Sequence, residues 1–109
     1  QVFAGKSSWD NEQLSLHFAR PDDHWFHAGN HAGSHVILRA PSPEVRPDQA
    51  LLLRAAAIAA WHSKGRHEGL CKVDYVPARL VSKIKGSPLG TVSIGKPRRL
   101  KVRPALPEE

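Results

Sequence analysis

The segment Arg20-Pro-Asp-Asp-His-Trp-Phe-His-Ala-Gly-Asn-His-Ala-Gly-Ser-His-Val-Ile-Leu-Arg39 decides the fold of this chain. Two runs of strand-forming residues, Trp25–Ala28 and His35–Leu38, flank a loop that contains two glycines. Aromatic and β-branched residues favour strands, and glycine favours the tight turns that connect them. The segment therefore predicts an antiparallel hairpin centred on His31.

The centre of the hairpin also predicts which side chains face each other. Phe26 is expected opposite Val36 on the core side of the sheet, and His27 opposite His35 on the other side. Two facing imidazoles at a surface can bind phosphate when protonated, or stack on RNA bases and hydrogen-bond to them. The hairpin thus predicts an exposed pair of histidines with Trp25 beside it.

Four of the seven histidines lie in this segment, at His24, His27, His31 and His35. Their spacing of three, four and four residues would suit a metal site on one face of a helix. The glycines and aromatic residues between them oppose a helix, so we predict no metal site and no cofactor. Three interpretations of the histidines stay open: contact with RNA or another polyanion, hydrogen bonds to backbone in a crowded turn, and metal ligation.

The flanking sequence predicts the rest of an α+β fold. Val2–Ala4 is expected to form a short opening strand, Asp10–Ala19 a short helix and Asp48–Ser63 a long helix. After Gly69 the apolar residues alternate with polar ones, which is typical of strands. We therefore predict a single domain over residues 1–103, with a mostly antiparallel sheet packed against one long and one short helix, and a Pro/Glu tail over residues 104–109.

Length and composition limit the possible classes of protein. A chain of 109 residues, 40% hydrophobic and 24% charged, fits one domain with a modest core. No apolar run approaches the roughly 20 residues that a membrane span requires, so no membrane partner is expected. The single cysteine, Cys71, excludes an internal disulfide framework and leads us to expect a cytoplasmic protein.

The positive charge is concentrated in the last third of the chain. Residues 1–75 contain eight Lys or Arg and eight Asp or Glu, whereas residues 76–107 contain eight basic residues and no acidic one. One-sided charge of this kind attracts polyanions, of which RNA is the most common in the cytoplasm. We expect these basic side chains to converge beside the histidine pair once the chain folds.

No catalytic arrangement is recognisable. Ser34 and His35 are adjacent in a predicted strand, so their side chains point to opposite faces and cannot act as a nucleophile and its base. Asp22 and Asp23 are neighbours rather than carboxylates placed across a cleft. Cys71 is expected to be an inert, small hydrophobic residue. We predict that the protein is not an enzyme.

Several motifs resemble the C-terminal RNA-binding domain of the NFACT proteins, the group that contains bacterial RqcH and eukaryotic NEMF. The more specific matches are Asp23-His-Trp-Phe-His27 and Gly33-Ser-His-Val36, with Val73-Asp-Tyr75 and Lys83-Ile-Lys-Gly86 following in the family's order. The resemblance spans about residues 2–103. It implies a module that contacts structured RNA, either tRNA or rRNA, with the large ribosomal subunit as a candidate partner.

The resemblance, together with the charge pattern, gives the candidate RNA-binding residues. These are Asp23, Trp25, His27, Ser34, His35, Lys83, Lys85, Lys96, Arg98, Arg99, Lys101 and Arg103. An alternative is a protein-interaction module that docks on an acidic ribosomal or adhesion partner, since members of this group are also named for fibronectin binding. The template-independent tailing of nascent chains that the full-length proteins perform depends on further domains, so it is not predicted from this sequence.

Overall fold

A computed structural model describes residues 1–29, 31–42 and 44–106 of the chain. The strands are β1 (Val2–Ala4), β2 (His24–Ala28), β3 (Val36–Leu38), β4 (Cys71–Pro77), β5 (Val81–Ser82), β6 (Ser93–Ile94) and β7 (Arg98–Val102). The helices are α1 (Ser8–Gln13), which continues as a π-helical segment over Leu14–Phe18, and α2 (Gln49–Trp61); a single 3₁₀ turn covers Ala78–Leu80. The predicted α+β fold, with one long and one short helix, is confirmed.

Five of the strands form one antiparallel sheet in the order β1-β3-β2-β4-β7, and β5 pairs with β6 in a separate ribbon. The hairpin formed by β2 and β3 has the predicted register, with Phe26 opposite Val36. Register follows the hydrophobic pattern here, because a slip of one residue would move Phe26 and Val36 out of the core.

The first face of the sheet packs on α2. Phe26, Val36 and Val73 lie fully buried against the alanine-rich side of this helix. Alanine side chains are short, so the helix axis can approach the sheet closely. The Asp48 side chain accepts a hydrogen bond from the Leu51 N–H at 2.9 Å and caps the helix, which therefore begins where the sequence predicts.

The second face is covered over only part of its width. The π-helical segment places Leu14 over Trp25, Ile37 and Val76, and the β5–β6 ribbon packs at the edge of the same cluster. Because these covering elements lie over β1, β3, β2 and the Val76 end of β4, the rest of β4 and the edge strand β7 keep part of this face open, and Lys72 and Lys101 there are exposed. The sequence did not predict this division of one face into two regions.

The predicted domain boundary at residue 103 stays a prediction. Just beyond it, the Ala105 N–H donates to the Ala57 carbonyl of α2 at 3.2 Å. Residues 107–109 of the predicted tail lie outside the described residues. None of the helices within the described ranges combines the length and hydropathy that a bilayer crossing requires.

Candidate nucleic-acid interface

The predicted pair of histidines forms, but His35 is buried and His27 is half-buried. The rings of His27 and His35 stand nearly perpendicular, at 84°, with their centroids 5.2 Å apart. His35 is only 4% exposed and Trp25 only 2%. The expected stacking of RNA bases on Trp25 and His35 is therefore incompatible with this fold, because the π-helical segment covers both rings.

A buried hydrogen-bond network fixes these aromatic side chains. The Trp25 indole N–H donates to the Ser15 hydroxyl oxygen at 2.8 Å, and Ser15 lies 2.7 Å from His35 Nδ1. An indole nitrogen can only donate, so the Ser15 hydroxyl is free to donate its own hydrogen to the imidazole. In the tautomer that accepts this hydrogen at Nδ1, the proton of the neutral His35 ring is on Nε2.

Burial keeps these imidazoles uncharged near neutral pH. Burial, aided by the neighbouring His27, lowers the pKa of His35 from 6.5 to about 4. Burial also lowers the pKa of His27, although the Asp74 carboxylate opposes that shift. A neutral imidazole cannot bind phosphate as a cation, so the lowered pKa values oppose the predicted binding of phosphate by the histidine pair.

The Gly-Ser-His motif has a structural role. Asn11 of α1 accepts from the His35 N–H at 3.0 Å and donates to the Gly33 carbonyl at 3.2 Å, and Ser34 donates to the Gly5 carbonyl. A Cβ atom on Gly33 would lie 2.6 Å from the Ser63 side chain, so only glycine fits where the hairpin meets the end of α2. Ser34, a predicted RNA contact, is thus engaged within the protein.

The carboxylate of Asp23 is also bonded to partners within the protein. It lies 2.8 Å from the Arg39 guanidinium, and both side chains are largely buried. It also accepts from the Arg20 N–H at 2.8 Å. Burial alone would raise the pKa of Asp23, but the Arg39 and Arg20 hydrogen bonds outweigh burial, and the net shift is downward. This carboxylate stabilises the start of β2 rather than facing a ligand.

Lys83 and Lys85 differ in their surroundings although they are two residues apart. Lys83 Nζ lies 2.6 Å from Glu12 and 2.7 Å from the Pro88 carbonyl, so it ties the loop after β5 to α1. The hydrogen bond from Lys83 is the main reason that the pKa of Glu12 is lowered. Lys85 is exposed at the turn that follows.

The open region of the second face carries exposed basic side chains on two neighbouring strands. Lys72 of β4 and Lys101 of β7 are directly opposite each other, and Asp74 is opposite Arg99, with Arg99 Nε 3.1 Å from the Asp74 carboxylate. Val102 is buried while Lys101 and Arg103 on either side of it are exposed, so the alternation of β7 continues to Arg103. We call Lys72, Arg99, Lys101 and Arg103 the open basic face.

Lys72 is the member of this face that the sequence did not single out. It lies in the part of the chain with balanced charge, so the concentration of basic residues after residue 76 does not include it. Its signal is the alternation Cys71-Lys72-Val73, which places a lysine on the side of the strand that faces away from α2.

Two other predicted cations, Lys96 and Arg98, belong to a different surface. They line a cleft of about 610 Å³ beside the start of α2, together with Arg46, Arg79 and Tyr75. The expectation that all the basic residues converge beside the histidine pair is wrong, because adjacent residues of β7 alternate between the two faces of the sheet. The predicted cations are divided between the open basic face, this cleft, the α1 contact of Lys83 and the exposed turn that contains Lys85.

The four clustered histidines also separate in the fold. His24 Nδ1 lies 2.8 Å from the Tyr75 hydroxyl, and His27 and His35 pair with each other. His31 instead lies near Glu68 and Cys71. The interpretation of the spacing as a set of four metal ligands is wrong, because the strands place alternate side chains on opposite faces.

Comparison with known proteins agrees with this fold. A family model described as the NFACT protein RNA binding domain matches residues 1–96. Proteins named Rqc2 homolog RqcH match at 33% identity over 103 residues in Streptococcus pneumoniae strain D39 and at 34% over 103 residues in Bacillus subtilis strain 168. Each alignment covers 94% of this chain but only 18% and 17% of the respective relative.

A solved structure has the same fold. The C-terminal part of the fibronectin/fibrinogen-binding protein from Streptococcus suis superimposes with a TM-score of 0.88 at 32% sequence identity. The alignment covers 95% of this chain and 41% of that one. This chain thus spans less than a fifth of the RqcH relatives and less than half of the solved relative.

Proposed function

This chain belongs to the NFACT RNA-binding domain family, and from that premise we propose that it is a non-enzymatic module that binds structured RNA, either tRNA or rRNA. The proposed contact surface is the open basic face. The name shared by the relatives supports a setting in ribosome quality control, with the large ribosomal subunit as a candidate partner and the cytoplasm as the location.

The observation that carries the proposal is the pairing of Lys72 with Lys101 across neighbouring strands. Like charges directly opposite each other destabilise a sheet. Within the described residues neither lysine has an acidic partner, whereas the adjacent Arg99 pairs with Asp74. A polyanion bound across these strands would relieve this repulsion, and phosphate contacts from lysine and arginine dominate the affinity of proteins for nucleic acids.

The geometry favours backbone recognition rather than base reading. Two of the rings predicted to stack on bases, Trp25 and His35, are buried. The cations of the open basic face stand on rigid strands and are exposed to solvent. Contacts of this kind position a protein on RNA through phosphates and the shape of the helix, and carry little base specificity. We therefore propose that the RNA is recognised mainly by its fold.

A salt titration of tRNA binding tests the proposal. Four cations that each neutralise one phosphate give a slope of roughly −3 to −4 in a plot of log affinity against log salt concentration. Lys101→Glu should reduce the magnitude of this slope by about 1 or more and weaken binding to unrelated structured RNAs alike. Filter binding at several salt concentrations measures both quantities.

Arg54→Glu provides the matched control. Arg54 is an exposed residue of α2, which packs on the opposite face of the sheet, and the substitution makes the same change in net charge. It should leave the slope and the affinity close to those of the wild type. Equal loss of affinity in the two variants would mean that total charge, rather than the open basic face, drives binding.

The alternative function is docking on an acidic protein partner, and the name of the Streptococcus suis relative favours it. The same open basic face would serve, since it attracts acidic side chains as well as phosphates. A pull-down before and after nuclease treatment separates the two functions. Partners that remain after nuclease treatment and depend on Lys101 would replace RNA as the ligand.

A further inference from the structure

We infer that His31, Glu68 and Cys71 form a binding site for a divalent transition-metal ion, with Zn²⁺ as the best-matched ion. The ligand atoms of the three side chains all lie within 4.8 Å of one another. His31 Nε2 is 3.0 Å from Glu68 Oε1. Imidazole nitrogen, carboxylate oxygen and thiolate sulfur are the three donor types that proteins use for zinc. The site is separate from the open basic face.

Three different segments bring these ligands together, and backbone hydrogen bonds hold each segment. His31 lies in the loop between β2 and β3, whose Ala32 carbonyl accepts from the Lys64 N–H at 2.9 Å. Glu68 follows the turn after α2, and its own N–H donates to the Gly65 carbonyl at 3.0 Å. Cys71 is the first residue of β4. The backbone that carries the three donors is therefore held in place before any ion binds.

Gly65 leaves the space that the site needs. A Cβ atom at this position would lie 2.8 Å from His31 Nε2 and 3.2 Å from Cys71 Sγ. A side chain there would push the imidazole away from the sulfur. The Ser63 hydroxyl accepts from the Gly65 N–H at 3.1 Å and donates to the Ala60 carbonyl at 2.7 Å, which fixes this turn to the end of α2.

One end of the metal site is buried and the other end is exposed to solvent. Cys71 is fully buried, while the side chains of His31 and Glu68 are 26% and 50% exposed. Solvent therefore reaches the site from the side of His31 and Glu68, and the Cys71 sulfur lies at its buried end. Three protein ligands leave the fourth position of a tetrahedral ion to water. Binding releases the proton of the Cys71 thiol to solvent, because the thiolate is the ligand.

This inference does not rest on the RNA-binding proposal. The metal site consists of His31, Glu68 and Cys71, and neither Lys72 nor Lys101 takes part in it. Loss of metal binding and loss of RNA binding can thus be measured with separate variants. Lys101→Glu should leave the metal affinity unchanged.

The test is a titration of the untagged, chelator-treated protein with Zn²⁺ alone, followed by calorimetry and by competition with a chromogenic chelator. We expect one ion per chain. Cys71→Ala and His31→Ala should each lower the affinity by more than the roughly 10- to 100-fold that follows loss of an outer-shell partner. Substitution with Co²⁺ adds a direct readout, since a thiolate ligand gives a charge-transfer band that Cys71→Ala abolishes.

His67→Ala is the matched control, because His67 is an exposed imidazole next to Glu68 in the sequence. It should bind Zn²⁺ as the wild type does. Circular dichroism confirms that each variant is folded; alanine is a small apolar residue that suits the buried position of Cys71. Absence of stoichiometric binding by the wild-type protein would overturn the assignment, and so would binding that survives Cys71→Ala or that is lost in His67→Ala.

Discussion

The two regions of the second face of the sheet differ in what covers them. Over β2 and β3, the π-helical segment buries Trp25 and His35, and their polar atoms bond to Ser15. Over β4 and β7, Lys72 and Lys101 remain exposed to solvent. The same alternation of side chains thus gives a hydrogen-bonded interior in one region and a charged surface in the other.

This difference shows how a specific motif can mislead about function. Trp25, His35 and Asp23 belong to a segment of unusual composition, but the fold uses all three in buried hydrogen bonds. The cations of the open basic face are ordinary lysines and arginines whose importance lies in their position. Substitutions in the covered region should therefore affect stability, and those in the open region should affect RNA binding.

The largest effect is expected from Asp23→Ala. Removing one partner of the buried pair leaves the Arg39 guanidinium without a counter-charge, which costs about 3–5 kcal/mol. Chemical denaturation gives the free energy of unfolding. Asp22→Ala, at an exposed neighbouring position, should change it little. If Asp23→Ala stayed as stable as the wild type but bound RNA poorly, the covered region would have a direct role in recognition.

The second-largest effect is expected from acid, which should destabilise the covered region. The pKa of His35 is lowered from 6.5 to about 4 in the folded state, so the unfolded chain takes up a proton first as the pH falls. The contribution of the neutral ring is fully present above pH 6.5 and is lost between pH 6.5 and about 4, which amounts to about 3 kcal/mol. Denaturation at several pH values measures the loss.

His35→Gln should make the stability less dependent on pH in this window, and an NMR titration of His35 in the wild type reports its pKa directly. The sequence predicts that His27 and His35 contact RNA. The fold predicts a change in acid stability instead. An imidazole of His35 that titrated near pH 6.5 would contradict its burial.

Substitutions at Arg98 and Arg99 test whether the open region binds RNA, because these consecutive residues lie on opposite faces of β7. Arg99→Gln should weaken RNA binding several-fold and reduce the magnitude of the salt slope by about 1, as expected for one lost phosphate contact. Arg98→Gln, which changes the cleft beside α2, should have the smaller effect. Filter binding with both variants at matched salt makes the comparison, and the reverse order would assign RNA to the cleft.

The smallest effect is expected at Lys83. Lys83→Met removes the hydrogen bonds to Glu12 and the Pro88 carbonyl, so the melting temperature should fall slightly while RNA affinity stays near the wild-type value. Lys85→Met, two residues away and exposed, should leave the melting temperature unchanged. Differential scanning calorimetry resolves such a shift. A loss of RNA affinity without loss of stability in Lys83→Met would show that Lys83 contacts RNA.

Much of the fold could be predicted because it depends on local patterns. The hairpin register, with Phe26 opposite Val36, and the start of α2 after Asp48 follow from alternation and from capping. Most of the candidate site could not be predicted. Residues separated widely in the chain, such as Lys72 and Lys101, become neighbours only when β4 pairs with β7.

The sequence by itself determined the elements, the register of the central hairpin, the excess of positive charge and the family. The tertiary structure alone decided which side chains reach solvent, because exposure depends on where α1, its π-helical continuation and the β5–β6 ribbon lie over the sheet. It also brought His31, Glu68 and Cys71 together from three segments. Proximity and desolvation, which give these residues their chemistry, arise only when distant parts of the chain pack together.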